Sequence, residues 1–479
     1  MVFNSFNFWL IFPLIFVIYW AIPSRLNRVR NFFLLVVSYL LYMNWKPSFA
    51  LILFGVTLIC YGGGYFIDNQ KDKNRKKYLC FSFALLSLLP LLVFKYYNFL
   101  NESLTEALST FGLHFSLPGL NWAIPVGISF FTFQAVGYIL DVYHKRIPAE
   151  RNFIDFALFV SFFPQVTSGP ISTAKDLMPQ FKTHHAFKYK QGCDGLKMLL
   201  WGMFLKVVLA DRIGIYVDTV YTNYIHYSGA VCLLASVMYT MQIYCDFAGY
   251  SLMAIGLAKT LGFDLINNFE RPYLAASVTE FWKRWHISLT RWLTTHVYIN
   301  LGGNRCSKLR QYCNIMATFL VSGLWHGANW TFVVWGALHG LFQIIEKALF
   351  GEHIKTEIMN REYSFSFIKI LRICVTFTLV SFAWIFFRMP TIQDANMFIA
   401  KIIAEFNHFS LEPMDSITLL ILLIALPILL ARDIYEEFRP LKLNDKQHTV
   451  LSWCFYVFIF CFILAFGVLD GGQFIYVSF

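Results

Sequence analysis

The sequence predicts an all-α polytopic membrane protein, and three observations carry that prediction. Of the 479 residues, 57% are hydrophobic and 19% are aromatic. Charged residues make up 14%, against about 25% in soluble domains. Apolar runs recur along the whole chain without a polar, Pro-rich or Ser-rich linker between them, so residues 1–479 are expected to form one integral membrane domain.

Segments able to cross a membrane follow one another along the chain. A crossing takes about 20 mostly apolar residues, so about ten to thirteen membrane helices are expected, some of them broken or re-entrant. The first segment lacks the basic region and the cleavage site of a signal peptide, so we expect it to be retained. The candidate spans are 6–22, 31–45, 49–67, 78–97, 121–142, 153–169, 194–210, 228–250, 312–326, 328–349, 367–387, 416–433 and 449–469.

Basic residues concentrate in alternate loops, which predicts the orientation of the chain. Lys and Arg favour the cytoplasmic side of a membrane. The loop 98–120 contains Glu102 and Glu106 but no Lys or Arg, so it is expected outside. The N-terminus and the C-terminal GGQFIYVSF are then both predicted to be extracytoplasmic. The basic clusters are Arg25, Arg28 and Arg30; Lys71, Lys73, Arg75, Lys76 and Lys77; Lys145, Arg146 and Arg151; and Arg432, Arg439, Lys442 and Lys446.

The charge and the motif content argue against several other classes of protein. The formal net charge of +11 fits basic loops beside anionic lipid better than it fits nucleic-acid binding. The sequence contains no HExxH, GxxxxGK[ST] or GxGxxG motif. We therefore expect none of the commonest metal or nucleotide sites.

A mixed charged and aromatic stretch between residues 255 and 311 is too polar to span. Its part from Phe281 onward predicts one interfacial amphipathic helix on the cytoplasmic side. A simple membrane anchor is the open alternative. His286 lies roughly 80° from the centre of the apolar stripe, on the flank that faces protein. The stripe consists of Phe281, Trp282, Trp285, Leu289, Trp292 and Leu293, opposite Lys283, Arg284, Ser288 and Arg291.

A histidine stands in the middle of the apolar segment LVSGLWHGANWTFVVWG, residues 320–336. Polar side chains at membrane depth are costly and mark reactive or transport sites by default. Gly323 and Gly327 flank His326, with Asn329 close by, so the helix is expected to weaken there. The alternative is a structural histidine that donates one hydrogen bond to a neighbouring helix.

Three other polar features have weaker interpretations. His339 follows His326 by 13 residues, roughly 220° around a straight helix, so we interpret it as structural. Asp246 is an acid in an apolar run and could orient a histidine or pair with a basic residue. The segment SFFPQVTSGPI, residues 161–171, fits a broken or re-entrant helix or a simple helix end.

Several long strings together resemble the membrane-bound O-acyltransferase family. They are RPYLAASVTEFWKRWHISLTRWL, YINLGGNR and LVSGLWHGANWTFVVWGALHGL, with DFAGYSLMAIGLAKTLGFDLINNF, FPQVTSGPI and SFAWIFFRMP around them. The resemblance covers a core of about residues 120–390 and is strongest to the bacterial branch that acetylates cell-surface polysaccharides, such as alginate or peptidoglycan. It implies a ring of membrane helices around a central catalytic cavity, reached by funnels from both faces.

The resemblance also implies roles for individual residues. His326 would be the catalytic histidine and His286 its partner, a position where many members outside the bacterial branch have asparagine. In the same hypothesis basic residues attract the phosphates of the donor, and four further residues line the cavity. The donor-binding candidates are Lys283, Arg284, Arg291 and Arg305, and the cavity-lining candidates are Trp325, Asn329, Trp285 and Asp246.

The implied reaction moves an acetyl group across the membrane. Its donor would be a cytoplasmic thioester, acetyl-CoA, used as substrate and not as a permanently bound cofactor. The acceptor would be an extracytoplasmic polysaccharide. The protein itself would lie in the bacterial cell membrane, and a separate extracytoplasmic acyltransferase partner would complete delivery of the acetyl group. Two alternatives stay open at this point: D-alanylation of teichoic acid from a carrier-protein thioester, and a transporter or flippase without chemistry.

Overall fold

The computed structural model describes residues 3, 5–113, 117–351, 367–406, 410–438 and 445–468. Every regular element in these ranges is a helix, as the composition predicts. The chain divides into two compact units, one formed by residues 1–196 and 254–266, the other by residues 197–253 and 267–479. The C-terminal GGQFIYVSF and the basic residues Arg439 and Lys442, on which part of the orientation prediction rests, lie outside the described residues.

The first unit is built mainly from the N-terminal helices. Within it, α3, α4 and α6 pack against one another, and α2 packs against α7. α4 continues through a π-helical turn, Leu92–Tyr96, into α5. The helices are α1 (Phe6–Ala21), α2 (Asn27–Met43), α3 (Pro47–Asn69), α4 (Lys73–Leu91), α5 (Tyr97–Ser109), α6 (Ile128–Tyr143), α7 (Phe153–Ser161), α8 (Ala174–Phe181) and α9 (Tyr189–Met203), the last of which runs on into the second unit.

The second unit contains the sequence strings that resemble the acyltransferase signature around His286 and His326. Two further π-helical turns, Phe204–Ala210 and Thr294–Tyr298, interrupt its helices. The helices are α10 (Asp211–Thr222), α11 (Gly229–Thr260, which ends in the first unit), α12 (Val278–Arg284), α13 (Ile287–Leu293), α14 (Lys308–His326), α15 (Trp330–Phe350), α16 (Phe367–Arg388), α17 (Ile392–Ala404), α18 (Ser416–Phe438) and α19 (Asp445–Phe466).

Membrane-spanning helices are present in both units. Among the described residues, six helices are long and apolar enough to cross a bilayer. A pair formed by Asn7–Ala21 and Ser24–Met43, bent by 104°, passes the same test together. The protein is therefore a multi-pass membrane protein. The six single spans are α3, the continuous helix Lys73–Ser109, α11, α15, α16 and residues 416–437 of α18.

Several of the other expected spans are shorter than the hydropathy suggests. The span expected at 121–142 becomes helical only at Ile128, after Gly127 with φ +74°. The span expected at 153–169 ends at Ser161, ahead of Pro164, and the chain stays buried in non-helical turns through Ser172. A proline disfavours helix at the residue before it. Non-helical backbone buried in protein is the kind that membrane proteins tolerate, so this break is internal and is not a surface helix end.

Helices α14 and α15 form the hairpin that holds His326. A Cβ atom at Gly323 would overlap the backbone oxygen of Phe332, and one at Gly336 would overlap that of Phe319. The two glycines therefore allow the helix backbones to touch, as small residues do at membrane helix crossings. Gly327 ends α14, and Asn329 caps α15 by accepting a hydrogen bond from the Thr331 backbone N–H. His326 lies at the end of α14, where the helix was expected to weaken.

Candidate functional site

His286 lies at a break between two short helices. The prediction of one continuous interfacial helix from Phe281 was wrong, because α12 ends at Arg284 and α13 begins at Ile287. His286 itself adopts a left-handed conformation with φ +43°, which is uncommon for a residue with a side chain. The break directs the imidazole into the protein, where its exposed fraction is 0%.

The apolar stripe that was expected to face lipid is part of the protein core except at Trp292, which is half-buried. Trp285 is fully buried and stacks on Phe281 with ring centroids 5.5 Å apart. It also contacts Trp384 at 5.1 Å. Trp282 donates from its indole nitrogen to Nδ1 of His339, 3.2 Å away. These contacts are protein–protein packing, so the stripe anchors the His286 segment instead of lying on a bilayer surface.

Asn268 holds the His286 ring. Its side-chain oxygen Oδ1 lies 3.1 Å from Nδ1 of His286, 3.1 Å from the backbone nitrogen of Ser288 and 2.9 Å from the Ser288 hydroxyl. The Asn268 amide nitrogen lies 3.3 Å from the Ser251 hydroxyl on α11. The Asn268 backbone carbonyl accepts from the Ile287 N–H at 3.0 Å. Five hydrogen bonds thus tie Asn268 to His286, to the start of α13 and to α11.

The His286 imidazole is neutral at physiological pH. It lies in none of the helices long enough to cross a membrane. Burial lowers the pKa of His286 from 6.5 to about 3, because an imidazolium without solvent is costly. The ring of Phe247 packs against it with centroids 4.6 Å apart. The site therefore presents a neutral imidazole and not a cation.

His326 is enclosed by aromatic rings. Its exposed fraction is 2%. The ring centroids of Trp325 and Trp335 each lie 4.9 Å from that of His326, and the ring of Phe387 lies 5.2 Å away. In this structure the imidazole is closed off from solvent, and access from both faces of the membrane stays a prediction.

The two predicted histidines are brought together although 40 residues separate them in the sequence. The centroids of His286 and His326 are 6.4 Å apart. Trp325 touches both, with centroids 5.6 Å from His286 and 4.9 Å from His326. Two imidazoles at this separation, in surroundings that exclude water, are suited to moving a proton to or from one substrate group.

His339 has the position of a structural histidine. It is fully buried, and its Nδ1 accepts the hydrogen bond from Trp282 described above. Trp335 lies between it and His326, with centroids 4.9 Å from each ring. An indole N–H only donates, so Nδ1 of His339 is the acceptor. This hydrogen bond fixes the ring in the protein core. The geometry supports the structural interpretation of His339.

The candidate donor-binding residues divide into two groups. Lys283, Arg291 and Arg305 have exposed side chains. Arg284 does not: its side chain is 8% exposed and pairs with Glu280 and with Glu437, the latter at 2.9 Å. The placement of Arg284 at the donor mouth therefore needs correction, because the buried Glu437 and the half-buried Glu280 already neutralise its charge. For Lys283, Arg291 and Arg305, donor binding stays a prediction.

The candidate cavity-lining residues also separate. Trp325 contacts both histidines, whereas Trp285 packs on Phe281 and Trp384. Asn329 instead caps α15 and donates to the Pro390 carbonyl at 2.8 Å. Asp246 forms an ion pair with Lys206 at 2.6 Å, so of the two roles considered for it the structure shows pairing with a basic residue. Asn329 and Asp246 thus have structural partners and are not placed as cavity-lining groups.

Sequence reasoning missed several residues of the site. Phe247 lies on α11, Asn268 in the loop after it and Phe387 on α16. None of them is a sequence neighbour of either histidine. No local pattern identifies such partners. One signal was available: Glu280 precedes Arg284 by four residues, the spacing at which opposite charges meet on a helix, and they do pair.

These features define an integral membrane protein whose paired, water-excluded histidines are equipped for proton transfer. The model of the family described as MBOAT, membrane-bound O-acyltransferase, matches residues 144–387. The chain belongs to this family and is an acyltransferase. Its resemblance to the family, inferred above from the motif strings, is confirmed.

The chain is similar to proteins of three related activities. The protein named "Probable alginate O-acetylase AlgI" of Pseudomonas aeruginosa is 37% identical over 91% of this chain and 83% of its own length. The peptidoglycan O-acetyltransferase of Helicobacter pylori is 34% identical over 76% of this chain and 71% of its own. The teichoic acid D-alanyltransferase of Streptococcus thermophilus is 26% identical over 59% of this chain and 68% of its own.

Proposed function

We propose that this protein transfers an acetyl group from cytoplasmic acetyl-CoA to a hydroxyl group of an extracytoplasmic polysaccharide. One observation carries the proposal: His286 and His326 lie with ring centroids 6.4 Å apart in a dry aromatic shell, in a chain of an acyltransferase family. The names of the alginate and peptidoglycan relatives support a polysaccharide acceptor and an acetyl group.

The proposed chemistry needs a base at the acceptor hydroxyl. His326 removes the hydroxyl proton as the oxygen attacks the thioester carbonyl, and the C–S bond then breaks. The sulfur leaves as a thiolate and takes up the proton, so the products are an acetate ester and free CoA. A positioned general base contributes about 10²–10⁴-fold in rate. His286, held neutral next to it, serves as its partner.

The aromatic shell supports the same chemistry by excluding water. Hydrolysis would waste the thioester, and Trp325, Trp335 and Phe387 leave His326 only 2% exposed. Substrates must therefore displace part of this shell to reach the imidazole. We propose that donor and acceptor enter from opposite faces of the membrane, with both chain termini extracytoplasmic as the basic loops indicate.

The donor is proposed to bind on the cytoplasmic side. CoA carries several phosphate charges and cannot cross a bilayer, so its binding region should be basic and exposed. Lys283, Arg291 and Arg305 satisfy both conditions. A separate acyltransferase partner outside the bacterial cell membrane would then move the acetyl group from this first hydroxyl to its final position on the glycan, so the first transfer itself needs no partner.

An acetyl group fits the comparisons better than D-alanine. The alginate relatives align over more of the chain and at higher identity than the D-alanyltransferase relative, 37% against 26%. A D-alanyl donor would be a carrier-protein thioester. Turnover with acetyl-CoA alone, without a carrier protein, separates the two donors.

The direct test uses purified protein in detergent with acetyl-CoA and a soluble glycan. We expect His326→Ala to reduce release of free CoA thiol by at least about 10²-fold, and His286→Ala to reduce it strongly but less completely. His226→Ala, at an exposed position, is the matched control and should keep wild-type turnover. Wild-type turnover by His326→Ala would refute the catalytic assignment, and detergent removes sidedness, so a lack of transport cannot explain a loss.

Sidedness is tested in sealed inside-out membrane vesicles. Radiolabelled acetyl-CoA is supplied outside the vesicles, which corresponds to the cytoplasmic face. We expect label on glycan trapped in the lumen. Label confined to the outside, with the same turnover, would contradict transfer across the membrane while leaving the acyltransferase chemistry intact.

A further inference from the structure

We propose that Asn268 is a positioning residue that fixes the proton of His286 on Nδ1 and so leaves Nε2 as the basic nitrogen of the site. The inference rests on the proposed function for its catalytic meaning. Its structural content, the protonation pattern of one imidazole, can be measured without any turnover.

The identity of the Asn268 oxygen is fixed by its neighbours. The Ser288 backbone nitrogen, 3.1 Å away, carries a hydrogen and can only donate. The side-chain atom of Asn268 that it faces must therefore be the carbonyl oxygen and not the amide nitrogen. The amide nitrogen in turn lies 3.3 Å from the Ser251 hydroxyl, which can accept.

The tautomer of His286 follows from that oxygen. Nδ1 of His286 lies 3.1 Å from the same Oδ1. An oxygen acceptor requires a proton on Nδ1, and a neutral imidazole carries only one. The basic lone pair is therefore on Nε2. A base whose second nitrogen is held by a carbonyl oxygen also has a fixed ring orientation, as in other histidine sites.

The backbone around Asn268 is positioned to hold this arrangement. Besides the Ile287–Asn268 bond, the Glu270 N–H donates to the Arg284 carbonyl at 2.9 Å. These two bonds join the start and the end of the segment 268–287. Arg284 is anchored in turn on Glu437 of α18. Asn268 is thus fixed by main-chain bonds that do not involve its side chain, and its side chain remains available for His286.

The effect of a side-chain change can be predicted from this geometry. Asn268→Leu removes the oxygen and should let the proton of His286 move to Nε2 or exchange between the nitrogens. Asn268→Asp keeps an acceptor oxygen and should keep the proton on Nδ1. Loss of such a positioning contact typically costs about 10–100-fold, here in kcat with KM nearly unchanged.

The test is ¹⁵N NMR of histidine-labelled protein in detergent, with the His286 signals identified by their absence in His286→Asn. We expect a protonated Nδ1 and an unprotonated Nε2 in the wild type and in Asn268→Asp, and a changed pattern in Asn268→Leu. Asn223→Leu, at an exposed helix end, is the matched control and should keep both the spectrum and kcat.

Two results would overturn the inference. One is a proton on Nε2 in the wild type, and the other is an unchanged spectrum and kcat in Asn268→Leu. If Asn268→Leu does not fold, the wild-type tautomer and the behaviour of Asn268→Asp still decide. An Nδ1–H tautomer in a protein that shows no acetyl-CoA turnover would refute the proposed function and leave the tautomer assignment standing.

Discussion

Removing the charge of Lys206 should strongly destabilise the protein. The Nζ atom lies 2.7 Å from Asp211 and 2.6 Å from Asp246, and the three side chains are 2%, 7% and 2% exposed. Lys206→Met would leave two buried carboxylates without their cation. Breaking a buried ion pair by removing one partner costs about 3–5 kcal/mol, a large part of the roughly 5–15 kcal/mol that folded proteins have.

The measurement is the apparent melting temperature in detergent, followed by loss of the monodisperse peak in size-exclusion chromatography. A loss of this size should lower it by on the order of 10 °C. Lys259→Met is the matched control, since Lys259 is 26% exposed and lies 3.7 Å from Asp264, which is 70% exposed. Such a surface pair is worth about 0–1 kcal/mol.

A second variant tests the charge argument itself. Lys206→Met combined with Asp246→Asn removes one of the two carboxylates that paired with Lys206. The double variant should therefore recover part of the stability that Lys206→Met loses. If Lys206→Met melts within a degree or two of Lys259→Met, the buried triad does not stabilise the fold as argued. If the double variant melts lower than the single one, the loss comes from packing and not from uncompensated charge.

Three further predictions concern the site and its supports. Gly323→Ala should lower stability by about 1–3 kcal/mol through overlap with the facing helix, whereas Gly55→Ala, with open space around it, should not; equal melting points would refute this. Glu437→Gln should lower the free energy of unfolding by about 2 kcal/mol because Arg284 loses a charged acceptor. Glu436→Gln should change it very little, since Glu436 is 42% exposed, and equal thermal stability of the two variants would contradict this. Burial lowers the pKa of His286 from 6.5 to about 3. The stability that the neutral, buried ring contributes is therefore fully present above pH 6.5 and is lost as the pH falls towards 3. Between pH 7.5 and 5 the wild type should lose about 2 kcal/mol relative to His286→Asn, and parallel pH profiles of their melting temperatures would contradict it.

The sequence predicted those features that local pattern controls. The low charge and recurrent apolar runs identified a helical membrane protein. Gly323 and Gly327 on either side of His326 predicted a weakened helix there, and α14 ends at His326. The pairing of His326 with His286 came from resemblance to a family and not from spacing, because the two positions are 40 residues apart in the sequence.

The features that the sequence did not predict depend on contacts distant in the chain. A continuous helix from Phe281 satisfied the apolar period, yet the chain breaks at His286, and Asn268, 18 residues earlier, accepts hydrogen bonds from the backbone N–H groups of Ile287 and Ser288 just after the break. Arg284 was expected in solvent because its helix face is polar. Glu437, 153 residues later, neutralises it instead. The hydrophobic periodicity and the charge pattern of a segment describe that segment alone. They do not identify partners that lie far away in the chain.

The aromatic enclosure of His326 has a consequence for chemical labelling. Electrophiles that modify imidazoles in water reach a ring in proportion to its contact with solvent. Exposed histidines such as His144 and His226 would be consumed early, while the 2% exposed His326 would react late. Inactivation would then lag behind total modification, and that lag would report how often the rings of Trp325, Trp335 and Phe387 part.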